Sequence, residues 1–227
     1  MPNDVAPAHH DLYINGAWDP AASGATYLSD DPFLGTAWAQ VPDAGQVDVD
    51  RAVMAAKNAL TGPWGAMTGV ERSKLLRRLG DLFAERAEEL AIVESRDNGR
   101  LLKDLRTQMH MLPDWYYYYA GLADKIGGEV LPSGRQNFFV YTVREPVGVV
   151  AAIVPWNSPL WLITWKVAPA LAAGCTMVLK PSDYTPVSAL KFAELVHAAG
   201  FPPRRVQRRD GQRARSRKSS RRSQGSG

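Results

Sequence analysis

The sequence contains few of the residues from which disulfides and metal sites are built. Its 227 residues include one cysteine and four histidines. A single cysteine excludes an intrachain disulfide and a cysteine-based zinc cluster. The histidines show no spacing typical of a ligand set, so no metal site is expected; they are His9, His10, His110 and His197.

The chain also lacks an apolar leader and a long unbroken apolar segment. Its first ten residues contain no apolar stretch after a basic start, so no signal peptide is predicted. The longest uncharged run, which includes residues 147–165, is interrupted by Pro155 and Pro159 and by polar residues between them. A helix that spans a lipid bilayer is therefore not expected, and a cytoplasmic location is the default expectation.

The basic charge of the chain is confined to one end. The 45% hydrophobic and 22% charged residues give an ordinary globular composition. Residues 204–227 contain nine arginines, one lysine and one aspartate, a charge of +9, while the whole chain carries +4. This basic tail has almost no apolar residues, so disorder is predicted. It has no aromatic side chains that could stack on bases, and no specific nucleic-acid partner is expected.

Apolar residues recur at helical spacing through the first half of the chain. The periodicity predicts a helix over 46–60, a single long helix whose apolar stripe runs through 75–90, and a mostly helical segment over 101–125. Five consecutive aromatic residues occupy 115–119. Packing of a helix end is the favoured interpretation of this run, and a surface for stacking bases or carbohydrates is the alternative.

The second half begins with a predicted strand over 138–143 and continues with alternating strands and helices. The pattern predicts strand 149–154, helix 159–173, strand 176–179 and helix 186–199. The first of these strands is apolar on both faces, which is typical of a buried parallel strand. Ser158 and Thr185 each precede a proline, and their hydroxyls are predicted to cap the two helices. Two strands joined by a helix form a parallel, right-handed β-α-β unit.

Polar side chains follow both strands of this unit. Ligands of parallel sheets bind beyond the carboxyl ends of the strands, where this chain places Pro155-Trp156-Asn157 and Lys180-Pro181-Ser182-Asp183. An amide, an ammonium, a hydroxyl and a carboxylate would thus share one edge. A nucleotide pocket and ordinary solvated loop charges are equally good interpretations. Neither G-x-G-x-x-G nor G-x-x-x-x-G-K-[ST] is present, so a standard Rossmann fingerprint or P-loop is not supported.

Two longer motifs resemble the NAD(P)-dependent aldehyde dehydrogenase superfamily. They are VPWNSPL at 154–160 and LAAGCTMVLKPSDYTP at 171–186. Further segments occur in the order found in that family, among them YING at 13–16, REPVG at 144–148 and AGFPP at 199–203. The resemblance covers about residues 10–203.

The resemblance implies an α/β fold with an incomplete Rossmann-type parallel sheet, N-terminal helices and a projecting β-hairpin. Residues 10–126 and 148–203 would form a partial NAD-binding domain, and residues 127–147 an oligomerisation hairpin. The intact parent would be a homo-oligomer that oxidises an aldehyde to a carboxylic acid.

The resemblance also implies roles for individual residues. Asn157 matches the amide donor that stabilises the oxyanion of the thiohemiacetal, and Lys180 matches the ribose-binding lysine. Asp183 stands where the family often has glutamate, which implies NAD, with NADP possible. The other cofactor-binding positions implied are Ile153, Val154, Pro155, Trp156 and Ser182.

The catalytic cysteine and the general-base glutamate of the family would follow residue 203, and neither motif is present. Cys175 is predicted to be a small buried hydrophobe between a helix and a strand. We therefore expect this chain alone to be inactive and to bind NAD weakly. Because arginine-rich sequence begins within a motif, residues 204–227 are interpreted as out-of-frame translation. The alternatives are a non-catalytic nucleotide-binding module and nucleic-acid binding through the tail.

Overall fold

A computed structural model describes residues 6–202 as a mixed α/β structure. The helices are α1 (Gln46–Leu60), α2 (Gly69–Glu85), α3 (Ala87–Asn98), α4 (Leu102–Leu122), α5 (Pro159–Ala172) and α6 (Val187–Ala199). The strands are β1 (Ala8–His9), β2 (Leu12–Ile14), β3 (Ala17–Asp19), β4 (Thr26–Asp31), β5 (Thr36–Pro42), β6 (Val130–Leu131), β7 (Val140–Tyr141), β8 (Val149–Ile153) and β9 (Thr176–Lys180). No helix in this part of the chain is long and apolar enough to cross a membrane. The predicted disorder of 204–227 lies outside the described residues.

The N-terminal strands form two small sheets. One has the order β1-β5-β4, and the other is the antiparallel pair β2-β3. Asn15 and Gly16 join β2 to β3 with φ values of 55° and 81°. Two consecutive positive φ values match the twist of a tight two-residue hairpin turn, and Asn-Gly adopts them at low cost.

The main core lies where α2, α3, α4, α5 and α6 pack together. Its largest fully buried side chains include Tyr116 and Phe83. The helices α2 and α4 approach closely at Gly80, where a Cβ atom would lie 2.8 Å from the Tyr117 ring. Because Tyr116 is completely buried while Tyr118 is 61% exposed, the aromatic run wraps a packed helix, as the favoured interpretation predicted.

The prediction of one continuous helix through 75–90 is wrong. The chain leaves helical geometry at Arg86, with φ −108° and ψ 16°, and this residue both ends α2 and precedes α3. The Arg86 guanidinium binds Glu89 at 2.7 Å and Glu194 of α6 at 2.8 Å. Apolar positions continue on both sides of the break, so the periodicity contained no sign of it.

The predicted parallel β-α-β unit is confirmed. Strands β8 and β9 are parallel, with Ile153 opposite Lys180. The expectation that β8 is buried on both faces is wrong, because Ala152 and Val154 are buried but Ile153 is 71% exposed. Helix α5 contacts the strand pair, and α1 contacts β9, where the Thr176 hydroxyl donates to the Ala56 carbonyl at 2.9 Å.

The projecting hairpin is shorter in regular structure than predicted. The strand expected over 138–143 is reduced to Val140–Tyr141, which pairs with Val130–Leu131. Side chains throughout this ribbon are exposed, including Phe139 at 74%. A two-stranded ribbon with no layer packed against it gains little stability from burial, so its regular strand pairing stays short.

Candidate functional site

The carboxyl ends of β8 and β9 lie side by side. Ile153 is paired with Lys180, and the Val154 N–H donates to the Lys180 carbonyl at 3.0 Å. The loop containing Asn157 and the loop containing Asp183 therefore leave the sheet at the same edge. We call this edge, formed by residues 153–158 and 180–185, the rim.

The rim combines exposed apolar and polar side chains. Ile153 is 71% exposed and Trp156 is 55% exposed. Pro155 and Asn157 are also exposed. Val154 differs, because its side chain is 2% exposed and belongs to the main core. Only the backbone of Val154 is left to face a ligand at the rim.

Lys180 and Asp183 form an ion pair at the rim. The Lys180 Nζ lies 2.5 Å from the Asp183 Oδ1, and the two side chains are 58% and 79% exposed. An exposed pair of this kind contributes little stability, so a ligand can replace its contacts at low cost. Ser182 is half-buried, and its hydroxyl accepts the Tyr184 N–H at 3.3 Å.

A cleft of about 760 Å³ opens beside the rim. Trp156 and Asp183 line it, whereas Asn157 and Lys180 do not. The opposite wall comes from α3 and β4 through residues that the sequence analysis did not identify: Asp97, Asn98, Tyr27, Ser29 and Asp30. Burial, reinforced by Asp183 and other carboxylates, raises the pKa of Tyr27 to about 12, so this phenol remains protonated at neutral pH.

The prediction that the Ser158 hydroxyl caps α5 is wrong. That hydroxyl donates to the Asn157 carbonyl at 2.7 Å and accepts from the Arg100 guanidinium at 2.8 Å. The cap is supplied by α3, because the Leu160 N–H donates to the Glu94 Oε2 at 2.9 Å. A carboxylate in this position satisfies a free N–H and interacts favourably with the helix dipole.

The same helix caps α6, so the prediction for Thr185 is also wrong. The Thr185 hydroxyl is buried without a hydrogen-bond partner among the described residues. Helix α6 begins at Val187. The Ser188 N–H and hydroxyl both donate to the Asp97 Oδ2 at 2.8 Å. Two carboxylates three positions apart on α3 thus hold the first turns of both helices that follow the rim loops.

Burial perturbs the ionisation of both capping carboxylates. Burial raises the pKa of Glu94 to about 7, against the opposing effects of the Leu160 N–H and of Arg100. Burial likewise raises the pKa of Asp97 to about 6, against its hydrogen bonds from Ser188. Each group therefore changes charge within the neutral or mildly acidic range, where an exposed carboxyl group is fully ionised.

Cys175 is buried, as predicted, and lies away from the rim. It is 3% exposed. It precedes the first residue of β9, whereas Lys180 is the last. Five strand residues at about 3.3 Å each place the two ends roughly 16 Å apart. The Trp64 indole N–H donates to the carbonyls of Gly174 and Cys175 at 3.0 and 3.1 Å, which fixes this turn.

Comparison with known sequences identifies one family. The model of the aldehyde dehydrogenase family matches residues 18–216. The chain is 47% identical over 192 residues to (Z)-2-((N-methylformamido)methylene)-5-hydroxybutyrolactone dehydrogenase of Acinetobacter baylyi, a match that covers 84% of this chain and 39% of that protein. It is also 47% identical over 193 residues to hydroxyisobutyraldehyde dehydrogenase of Mycolicibacterium austroafricanum, covering 84% of this chain and 38% of that protein.

Solved structures give the same result for the fold. An aldehyde dehydrogenase variant from Bacillus cereus superposes with a TM-score of 0.83 at 42% identity, covering 86% of this chain and 40% of that one. Betaine aldehyde dehydrogenase from Staphylococcus aureus, in complex with NAD+, superposes with a TM-score of 0.83 at 38% identity, covering 86% of this chain and 39% of that one. The chain thus spans about two fifths of the length of these relatives.

Proposed function

The chain belongs to the aldehyde dehydrogenase family, and we propose that it forms part of the NAD-binding half of an enzyme that oxidises an aldehyde to a carboxylic acid. The observation that carries this proposal is the rim, where Asn157 follows β8 and Lys180 is the last residue of the adjacent parallel strand β9. The complete activity is proposed for an intact protein that contains these residues, because this chain spans 39% of a relative's length.

Asn157 is proposed as the residue that stabilises the transition state. Its side-chain amide would donate to the aldehyde oxygen as negative charge develops there. A preorganised donor of this kind contributes a factor of about 10²–10³ in rate. The reaction also needs a thiolate nucleophile, and the single cysteine of this sequence is buried. This chain alone is therefore proposed to be inactive as a dehydrogenase.

The rim residues suit a dinucleotide cofactor. NAD would supply the hydride acceptor. Lys180 would donate to ribose or phosphate oxygens, and Asp183 would accept ribose hydroxyls and repel a 2′-phosphate. The exposed apolar surfaces of Ile153 and Trp156 offer a wall for a planar ring. The remaining positions proposed to contact the cofactor are Pro155, Ser182 and the backbone of Val154.

Titration of the chain with NAD tests this proposal. We expect saturable binding of NAD, measured by calorimetry and by quenching of tryptophan fluorescence. NADP should bind more weakly, because the Asp183 carboxylate would repel the added phosphate. Replacing Lys180 by alanine removes a charged hydrogen-bond donor and should weaken NAD binding by about tenfold or more.

A matched control exists outside the rim. Lys125 pairs with Asp124 at 2.6 Å and is similarly exposed, so Lys125→Ala should leave NAD affinity unchanged. Equal affinities for the Lys180→Ala and Lys125→Ala variants, or the lack of any saturable NAD binding, would contradict the assignment of the rim as the cofactor site.

Residues 127–147 are proposed to mediate self-association of the intact enzyme. The ribbon exposes several large apolar side chains, including Val130 at 67%, Phe139 at 74% and Tyr141 at 60%. An exposed apolar ribbon of this kind is typical of a surface that pairs with another chain.

Two neighbouring glycines allow this role to be tested. A Cβ atom on Gly128 would lie 1.8 Å from the Thr142 carbonyl oxygen, whereas a Cβ on Gly127 would meet nothing within 4 Å. We expect Gly128→Ala to disrupt the ribbon and so to lower the mass of the oligomer measured by light scattering. Gly127→Ala should leave that mass at the wild-type value. The same mass for both variants and the wild type would argue against the ribbon as the contact.

A further inference from the structure

The carboxyl-terminal half of α3 and Arg100, which follows it, contact the chain at the Asn157 carbonyl and just after it. The Arg100 guanidinium donates to the Ser158 hydroxyl at 2.8 Å, and this hydroxyl donates to the Asn157 carbonyl at 2.7 Å. The Asn98 side chain makes a longer contact, 3.4 Å, with the same carbonyl. Three residues after Asn157, the Leu160 N–H donates to Glu94. These contacts join residues 58 to 66 positions apart.

Glu94 is an unusual residue for its surroundings. Its side chain is completely buried within the helical core. Its Oε1 has no hydrogen-bond partner among the described residues, so the contact from the Leu160 N–H to Oε2 is the direct hydrogen bond that this carboxyl group makes there. Burial of a carboxyl group is costly unless its contacts compensate. The contact that it makes orients the first turn of α5, which begins two residues after Asn157.

Arg100 binds the same loop and acts on Glu94 through its charge. Its guanidinium binds the Ser158 hydroxyl and the Gln108 side chain of α4 at 2.8 and 2.9 Å, and its positive charge favours the ionised form of Glu94. The nearby carboxylate of Asp97 disfavours that form. These groups, with the Leu160 N–H, are the polar neighbours that affect the ionisation of Glu94.

We propose that Glu94, with Arg100, is the positioning residue for Asn157: it fixes the first turn of α5 and thereby the direction in which the Asn157 amide points. The proposal rests on the proposed function only for the role of Asn157 in the reaction. The positioning itself is a property of the folded chain. A change in the protonation state of Glu94 therefore affects the rim through the hydrogen bond that Glu94 accepts from the Leu160 N–H.

Nuclear magnetic resonance of the whole chain, labelled with ¹⁵N at leucine and asparagine, tests this positioning. A carboxylate is a stronger acceptor than a carboxylic acid, so the Leu160 amide proton should shift downfield as pH rises, with a midpoint near 7. The Asn157 amide signals should follow with the same midpoint. In Glu94→Gln, which keeps an acceptor oxygen but cannot ionise, both titrations should disappear while the Asn157 signals stay sharp.

Control variants separate positioning from a general effect on the fold. Glu89 lies on the same helix but pairs with Arg86, so Glu89→Gln should leave both titrations unchanged. Arg100→Met keeps the apolar stem and removes the positive charge, so the Leu160 midpoint should move to higher pH and the Asn157 signals should shift. Because Arg100 is only half-buried, this variant should fold even where a larger change at Glu94 does not.

The outcomes distinguish this inference from the proposed function. Asn157 signals that do not follow Glu94, or a Leu160 midpoint that is unchanged in Arg100→Met, would overturn the positioning role whether or not NAD binds. If the Asn157 signals follow the ionisation of Glu94 but the chain does not bind NAD, the positioning role is supported. The proposed cofactor site is then contradicted.

Discussion

Raising the pH from 5 to 8 is expected to lower the free energy of unfolding by about 4 kcal/mol through the two buried capping carboxyl groups. Burial raises the pKa of Glu94 from 4.5 to about 7 and that of Asp97 from 3.8 to about 6. The folded state therefore binds these protons more tightly than the unfolded chain does. The stability that they contribute is fully present below the unfolded pKa values and is lost as pH rises through the folded ones. By linkage, Glu94 accounts for the larger part of the loss, on the order of 2–3 kcal/mol, and Asp97 for the smaller part, on the order of 1 kcal/mol.

Urea unfolding at a series of pH values measures this dependence. Glu94→Gln and Asp97→Asn should each flatten the curve by the share of the replaced group. The pKa of Glu89 is lowered by its hydrogen bonds to Arg86, so Glu89 titrates below this range and Glu89→Gln should leave the slope unchanged. Burial lowers the pKa of His10; its stabilisation is lost as pH falls, and comparison of each variant with the wild type cancels that contribution. An unchanged slope in Glu94→Gln would show that this carboxyl group ionises normally.

Replacing Phe83 by alanine is expected to lower the free energy of unfolding by about 3–5 kcal/mol. Phe83 is completely buried in the main core, and its ring lies 5.9 Å from the ring of Tyr116, centroid to centroid. It thus joins α2 to α4. Truncation removes the buried ring and leaves a cavity between two helices that cannot collapse without disturbing their other contacts.

Phe139 provides the matched control for this prediction. It is 74% exposed on the ribbon, so the same change there should alter the free energy of unfolding by less than about 0.5 kcal/mol. Both variants are compared with the wild type by their midpoints in denaturant. Similar midpoints for the two variants would contradict the packing of Phe83 between α2 and α4.

Local signals in the sequence predicted much of the fold. Gly99 and Gly200 follow the ends of α3 and α6 with φ values of 72° and 81°, a conformation that glycine adopts without steric cost. The two apolar segments with an intervening helix predicted the parallel pair β8-β9. In each case the interactions that determine the structure lie within a few residues of one another, so the residue types in the sequence are enough to predict it.

Only part of the candidate site could be predicted from the sequence. Asn157 and Lys180 follow the two strands predicted from the sequence, so their place at one edge could be predicted from the order of elements. Glu94 and Asp97 lie in a helix rich in charged residues, where an acidic side chain is usually exposed to solvent. Nothing in that local pattern indicated that both are buried, or that they cap helices that begin more than 60 positions later.

The sequence by itself determined the family, the secondary structure through most of residues 6–202, and the presence of polar residues after both parallel strands. Only the tertiary structure decided which hydrogen bonds α5 and α6 make at their first turns. It also decided that the predicted long helix breaks at Arg86 and which face of β8 is covered. The physical reason is one of range. Propensity and periodicity act between near neighbours, whereas a buried carboxylate or a covered strand face depends on which distant element packs against it.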